Sequence, residues 1–261
     1  MNSFLDQTFV DVFQNYKLRK NITSFSTIQF QQATAFSFVC KLNRYLVLDY
    51  NNSKIISYDQ NFTYRHASSS INKPQFITTV KNSNSFELFI SSGTNGVFKL
   101  NSSLSVNYSF FRWITAYGGI YYNHTGDYIL ACSTSNNMIE ILRRDDLTFI
   151  KYISTSPFPP TDIREYNGTL YVSTSNSNIL AIQNEKISFN FTTICNSITS
   201  LSIDKLGNIA VVCSPYIYLY STNGSYLNLS WISPIENITS IGFDGFGNFI
   251  LIAYSGVYSF N

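Results

Sequence analysis

Ile198-Thr199-Ser200-Leu201-Ser202-Ile203-Asp204, closed by Gly207-Asn208-Ile209, returns forty residues later as Ile238-Thr239-Ser240-Ile241-Gly242-Phe243-Asp244 and Gly247-Asn248-Phe249. Each copy reads as a strand, an Asp-to-Gly turn and a second apolar strand. A repeat of this length marks an array or a ring of small units, and it governs the fold more than any single residue does.

The second strand of that unit can be followed back along the chain. It starts near Arg44 (RYLVLDY), Phe86 (FELFISS), Asp127 (DYILACS), Gly168 (GTLYVST), Gly207 (GNIAVVC) and Gly247 (GNFILIA), at spacings of 39 to 42 residues. A short Ser/Asn/Gly turn and a third strand follow, as in Lys54-Ile55-Ile56-Ser57-Tyr58 and Met138-Ile139-Glu140-Ile141-Leu142. A more polar fourth strand closes most units, for example 147–153 and 225–231. Four strands per repeat, six times over, predicts an all-β, six-bladed β-propeller of four-stranded antiparallel blades spanning residues 1–261 as one domain. The near-continuous apolar second strands suit sheets covered on both faces by neighbouring blades.

The last unit ends at Ser255-Gly256-Val257-Tyr258-Ser259-Phe260-Asn261, one strand short, and the first full unit begins near Ala33. A segment somewhere within 9–30 is therefore expected to supply the missing outer strand of the last blade and close the ring.

Composition agrees. The 261 residues include 19 Tyr and 22 Phe but only 12% charged residues, a balance that suits pleated, half-buried surfaces. With a net charge of +2 and only small basic clusters at 17–20 and at Arg143-Arg144, no basic stripe forms, which reads against nucleic acid. No apolar run is long enough to span a bilayer, so membrane insertion by this segment is not expected. The start of the chain lacks a signal-peptide pattern. The expectation is therefore a cytoplasmic protein, or an ectodomain belonging to a longer one.

Leu48-Asp49-Tyr50-Asn51-Asn52-Ser53-Lys54-Ile55 resembles the NHL-repeat signature, in which an apolar strand ends in Asp, an Asn-rich turn follows, and a basic residue and Ile open the next strand. Asp204-Lys205-Leu206-Gly207-Asn208 and Asp244-Gly245-Phe246-Gly247-Asn248 resemble the same family's turn. The pattern is also similar to divergent NHL-like propellers of bdelloid rotifers. The resemblance covers nearly the whole chain and implies six blades, but its motifs are architectural and assign no chemistry. Ser173-Thr174-Ser175 and Ser91-Ser92-Gly93 depart from it by replacing the strand-ending Asp.

Relatives with this architecture include calcium-dependent lactonases, which converge several oxygen ligands on a channel metal. Here only 15 acidic residues exist, most of them in turns or outer strands. Asp162 and Arg164 are the exception, a polar pair on one face of an inner strand, read first as a structural ion pair. The two histidines, His66 and His124, fall short of a zinc site. No nucleophile-elbow pattern surrounds any serine. The expectation is no catalytic residue, no metal and no cofactor, with calcium reserved for the hydrolase alternative.

Of the four cysteines, Cys195 precedes an inner strand whose partner strand ends at Cys213, so these two can meet in a disulfide. The alternative is four buried thiols. Eleven Asn-x-Ser/Thr triplets occur, against roughly six expected by chance. Those at Asn51, Asn61, Asn101, Asn123, Asn167, Asn223 and Asn228 are the candidates for N-glycosylation, and they favour an extracellular setting.

Propellers bind at one mouth of the channel, through loops that vary while the blades stay fixed. The candidate residues there are Arg65, His66, Arg112, Trp113, Phe158, Tyr216 and Trp231, since Trp, Tyr and Arg bring large area with a polar handle. The leading expectation is a monomeric, non-enzymatic module for a protein, small-molecule or glycan ligand. A calcium-dependent hydrolase and an RNA-binding domain are the alternatives.

Overall fold

A computed structural model of the protein describes residues 23–24, 32–39, 43–59, 63–68, 71–81, 85–112, 115–233, 235–243 and 249–260. They form six four-stranded antiparallel sheets arranged as the blades of a propeller. A short strand β1 (Thr23–Ser24) comes first. Blade 1 is β2 (Ala33–Val39), β3 (Arg44–Asp49), β4 (Lys54–Asp59) and β5 (Tyr64–Ser68). Blade 2 is β6 (Phe76–Lys81), β7 (Phe86–Ser91), β8 (Val97–Leu100) and β9 (Val106–Phe110). Blade 3 is β10 (Tyr117–Asn123), β11 (Tyr128–Ser133), β12 (Met138–Arg143) and β13 (Phe149–Ser154). Blade 4 is β14 (Pro160–Tyr166), β15 (Thr169–Thr174), β16 (Asn178–Gln183) and β17 (Lys186–Thr192). Blade 5 is β18 (Ser200–Ile203), β19 (Ile209–Cys213), β20 (Tyr216–Tyr220) and β21 (Tyr226–Ile232). Blade 6 is β22 (Ile238–Phe243), β23 (Phe249–Ala253) and β24 (Gly256–Phe260), completed by β1. Thr23 and Ser24 pair with Ser259 and Tyr258, so the expected N-terminal strand closes the ring.

The alternation of side chains across a strand explains the packing. Along β3, Tyr45 and Val47 face blade 6 while Leu46 and Leu48 face blade 2. The apolar core accordingly falls into six clusters, one at each seam between neighbouring blades. The cluster between blades 6 and 1, with Tyr45, Val47, Ile250 and Ile252, resembles the others in make-up. Each fully buried aliphatic side chain contributes about 1.5–3 kcal/mol, so these seams carry most of the stability. The outermost strands, such as β9 and β17, are largely exposed.

Hydrogen bonds add direction to the seams. The inner strands β2, β14 and β22 begin with a bulge at Thr34, Thr161 and Thr239. Thr34 Oγ1 donates to Pro74 O (3.0 Å), Thr239 Oγ1 to Ala33 O (3.0 Å) and Thr199 Oγ1 to Ile238 O (3.2 Å). Each bond reaches the next blade, and the one from Thr239 spans the seam where the chain's two ends meet. Ser91 Oγ donates to Gly118 O, tying blade 2 to blade 3. Between blades 3 and 4 the backbones themselves touch. A Cβ at Gly118 or Gly119 would stand 2.5 Å from Thr161 O or Asp162 Cα. Each latch is worth about 1 kcal/mol, so it fixes blade angle and register more than stability.

The turn motifs prove structural. Asp204 Oδ1 accepts from the amides of Leu206 and Asn208 (both 2.9 Å), and its Oδ2 accepts from Asn208 Nδ2 (2.8 Å). The turn also needs Gly207 at φ +86°. Asp49 caps its own turn, with Oδ1 accepting from Gln32 N (3.1 Å) and Oδ2 from Asn52 Nδ2 (2.7 Å). The companion turn at 244–248 lies outside the described residues.

Charge is concentrated at the seam between blades 2 and 3. Glu87 receives Lys99 Nζ at 2.7 Å and Arg144 Nε at 2.8 Å, and Lys99, only 5% exposed, also donates to Asp145 O. Burial pushes the Glu87 carboxyl up, but the bonds from Lys99 and Arg144 outweigh it and hold it below its ordinary value of 4.5. A carboxylate lowered on folding stabilises the fold above its unfolded pKa, and that stability is lost as pH falls through the folded value.

Two measurements test this packing. Gly119→Val is expected to cost about 3 kcal/mol and lower Tm by roughly 5–12 °C, and an unchanged Tm contradicts the contact with Asp162. Below about pH 4.5 the Tm of the native chain is expected to fall more steeply than that of Glu87→Gln, and parallel curves contradict the assigned role of Glu87.

Candidate functional site

The turns between second and third strands and the links between blades meet at one end of the channel, the end where each inner strand begins. There lies a cavity of about 340 Å³ lined by Gln32, Thr34, Tyr50, Gln75, Phe76, Thr199, Thr239 and Tyr254. A groove of about 370 Å³ adjoins it, sharing Thr199 and running outward over Cys195 and Cys213 to Tyr216 and Tyr218. No described residue lining either space is charged.

The repeat explains how this mouth is displayed. Tyr50 and Tyr254 occupy the same place in blades 1 and 6, directly after the second strand. Their amides donate to Gln32 O (2.8 Å) and Asn237 O (3.2 Å), just as Thr134 and Ser175 donate to Ala116 O and Pro159 O in blades 3 and 4. The aromatic pair therefore stands on adjacent blades, where blades 3 and 4 carry Thr and Ser. Lys73 lies over the Tyr50 ring, 5.5 Å from its centroid, and is not part of the cavity wall. Tyr216 stacks on Tyr218 at 6.0 Å and is 41% exposed.

A second space, about 240 Å³, lies further along the channel between the later residues of the inner strands. Phe36, Phe38 and Phe243 line it with Ser and Thr hydroxyls, Tyr121 and Arg164. Arg164 Nη1 donates to Asp162 Oδ1 at 2.7 Å. Asp162 is 1% exposed, and its other oxygen accepts from Leu201 N across the seam to blade 5 (3.0 Å). The pair thus ties blade 4 to blade 5. Among the described residues there is no group of three or more His, Cys, Asp or Glu side chains that could hold a metal.

Of the described residues expected at the mouth, only Tyr216 lines one of its two spaces. Arg65 and His66 belong to the outer strand β5, not a mouth loop, and Arg65 Nη2 contacts Asp59 Oδ2 at 2.6 Å. Trp231 is likewise corrected to the outer strand β21, where alternation turns it inward, edge-on to Phe249 at 6.1 Å. Phe158 packs half-buried on the core between blades 3 and 4. Arg112 does leave β9 toward the mouth, but its Nη1 donates to the buried Glu140 (3.0 Å) and its guanidinium lies 4.8 Å over the Phe149 ring. Burial pushes the Glu140 carboxyl up, against the hydrogen bond from Tyr117 and the charge of Arg112. Trp113 lies outside the described residues. The residues that line the cavity, Gln32, Gln75, Tyr50 and Tyr254, went unread in the sequence. The signal available was two tyrosines at one repeat position.

Among the glycosylation candidates, Asn51, Asn167, Asn223 and Asn228 are exposed, and Asn101 is half-buried with its carbonyl oxygen capping a turn. Asn123 is a correction. It is 9% exposed, and its Nδ2, the atom a glycan would take, donates to Glu165 Oε2 at 3.1 Å. Asn61 lies outside the described residues, as does Cys40. Cys132 is a buried thiol in the seam between blades 3 and 4, its pKa pushed up by burial.

Cys195 and Cys213 form a disulfide, with Cα atoms 5.7 Å apart, beneath the mouth groove. Closing a loop of 18 residues is worth about 3 kcal/mol in the chain-entropy account. Cys213→Ser is expected to lose about that much by chemical denaturation, and dithiothreitol is expected to bring the native chain to the same midpoint. A native chain indifferent to reductant contradicts the bond.

No family model matches the chain, and no curated protein matches it in sequence. Solved structures do. A streptogramin B lyase is similar at 13% identity and a TM-score of 0.74, over 92% of this chain and 97% of that one. BBS1N, in its complex with ARL6DN, is similar at 12% identity and a TM-score of 0.65, over 91% of this chain and 93% of that one. At such identities the likeness establishes the six-bladed propeller and nothing finer, and the NHL-type resemblance remains one of sequence pattern.

Proposed function

We propose that this domain is a non-enzymatic recognition module that takes its ligand at the channel mouth where the inner strands begin. The observation that carries the reading is the make-up of that mouth. A cavity and an adjoining groove are lined by tyrosine rings, amides and hydroxyls, with no carboxylate, imidazole or ammonium group among the described lining residues. Proton transfer and the activation of a hydroxyl nucleophile are most often the work of such groups, placed within hydrogen-bond reach of a substrate. Binding needs area, shape and a few oriented polar atoms, and these are present.

The charged groups near the channel support the same reading. Asp162 and Arg164 neutralise each other and hold a seam, and Arg112 is turned onto Glu140. Among the solved structures with this fold, BBS1N is seen in complex with another protein. The disulfide and the exposed sequons favour an extracellular setting. We take the domain to act as a monomer.

The test has two arms. Ligand-observed NMR with a fragment library is expected to find binders that are lost in Thr199→Trp, which fills the junction of cavity and groove. Binders unaffected by that change contradict the assigned mouth. In the second arm, fluorogenic esters and lactones with calcium are expected to turn over at background rate. Hydrolysis that chelation abolishes would overturn the non-enzymatic reading in favour of the hydrolase alternative.

A further inference from the structure

Resting on the mouth reading above, we propose that the ligand is a neutral saccharide. The first argument is charge. Acidic or basic ligands are selected by complementary charges, and no described residue lining the cavity or the groove carries one.

The second argument is hydrogen bonding. The side-chain amides of Gln32 and Gln75 are half-buried at the cavity wall and bond to no described residue. Neither amide is sealed from solvent, so both are open to an incoming ligand. An amide offers two donors and an acceptor, which matches vicinal sugar hydroxyls that both give and take hydrogen bonds. The threonine hydroxyls beside them donate to backbone carbonyls and keep their lone pairs for an incoming hydroxyl.

The third argument is the aromatic surface. Tyr254 is 41% exposed at the rim, and Tyr216 is exposed to the same degree at the far end of the groove. An exposed ring offers a flat apolar face with a polar tip, the counterpart of a pyranose with its C–H face and its hydroxyl edge. A cavity of about 340 Å³ joined to a groove of about 370 Å³ takes a short oligosaccharide, with one unit seated over the channel and the rest lying outward toward Tyr216.

The experiment is an array of immobilised neutral, sialylated and sulfated oligosaccharides and of uncharged peptides, probed with the full chain. Binding to one or more neutral saccharides is expected, changed less than about twofold between 50 and 500 mM salt because no charge is shared. Tyr254→Ala and Gln75→Ala are each expected to weaken it at least tenfold while Tm stays within about 2 °C, since neither side chain holds the fold. Arg65→Ala on the outer strand serves as the control and leaves binding unchanged. Binding confined to charged saccharides or to peptides, or no saccharide bound at all, overturns the proposal. If Thr199→Trp still abolishes fragment binding in that case, the mouth stands and only the saccharide falls. If fragment binding fails as well, the mouth reading falls with it.

Discussion

No blade of this protein can cover its own sheet. A four-stranded sheet with an apolar second strand exposes grease on both faces, and each face is hidden only by the next blade around the ring. Tyr45 and Val47 need Ile250 and Ile252 from the far end of the chain as much as Leu46 and Leu48 need Leu88 and Ile90. Blades 6 and 1 must therefore meet. The bond from Thr239 to Ala33 and the pairing of β1 with β24 are the polar marks of that closure.

This constraint also made the fold legible in the sequence. A strand buried on both faces cannot alternate, so RYLVLDY, GNIAVVC and their equivalents stand out as unbroken apolar runs at nearly constant spacing. The outer strands gave a weaker signal. Tyr64-Arg65-His66-Ala67-Ser68 is exposed along one edge and reads like a loop, and for that reason Arg65 and His66 were expected at the mouth. Trp231 had its signal in the alternation of Leu227, Leu229 and Trp231, which all pack toward blade 6. The partner of Arg112 could not be read, because Glu140 comes from another strand of the next blade, although a lone charge inside Met138-Ile139-Glu140-Ile141-Leu142 marks something held.

The binding face follows from the same geometry by a different route. Thr34, Thr199 and Thr239, at the start of their inner strands, bring short polar side chains to the mouth and fasten their hydroxyls to the neighbouring backbone. What remains free to vary is the residue after each second strand. Blades 1 and 6 place Tyr50 and Tyr254 there, so the repeat supplies the frame and its departures supply the recognition surface. Glu87 and Asp162 find their partners in the seams, and no described residue lining that surface is charged.

Native-state hydrogen exchange tests the closed ring most directly. If each blade depends on both neighbours, the amides of β3, β7, β11, β15, β19 and β23 exchange through one global opening with a common free energy. Slow exchange in the middle blades beside fast, independent exchange in blades 1 and 6 is the behaviour of an open stack, and would contradict closure.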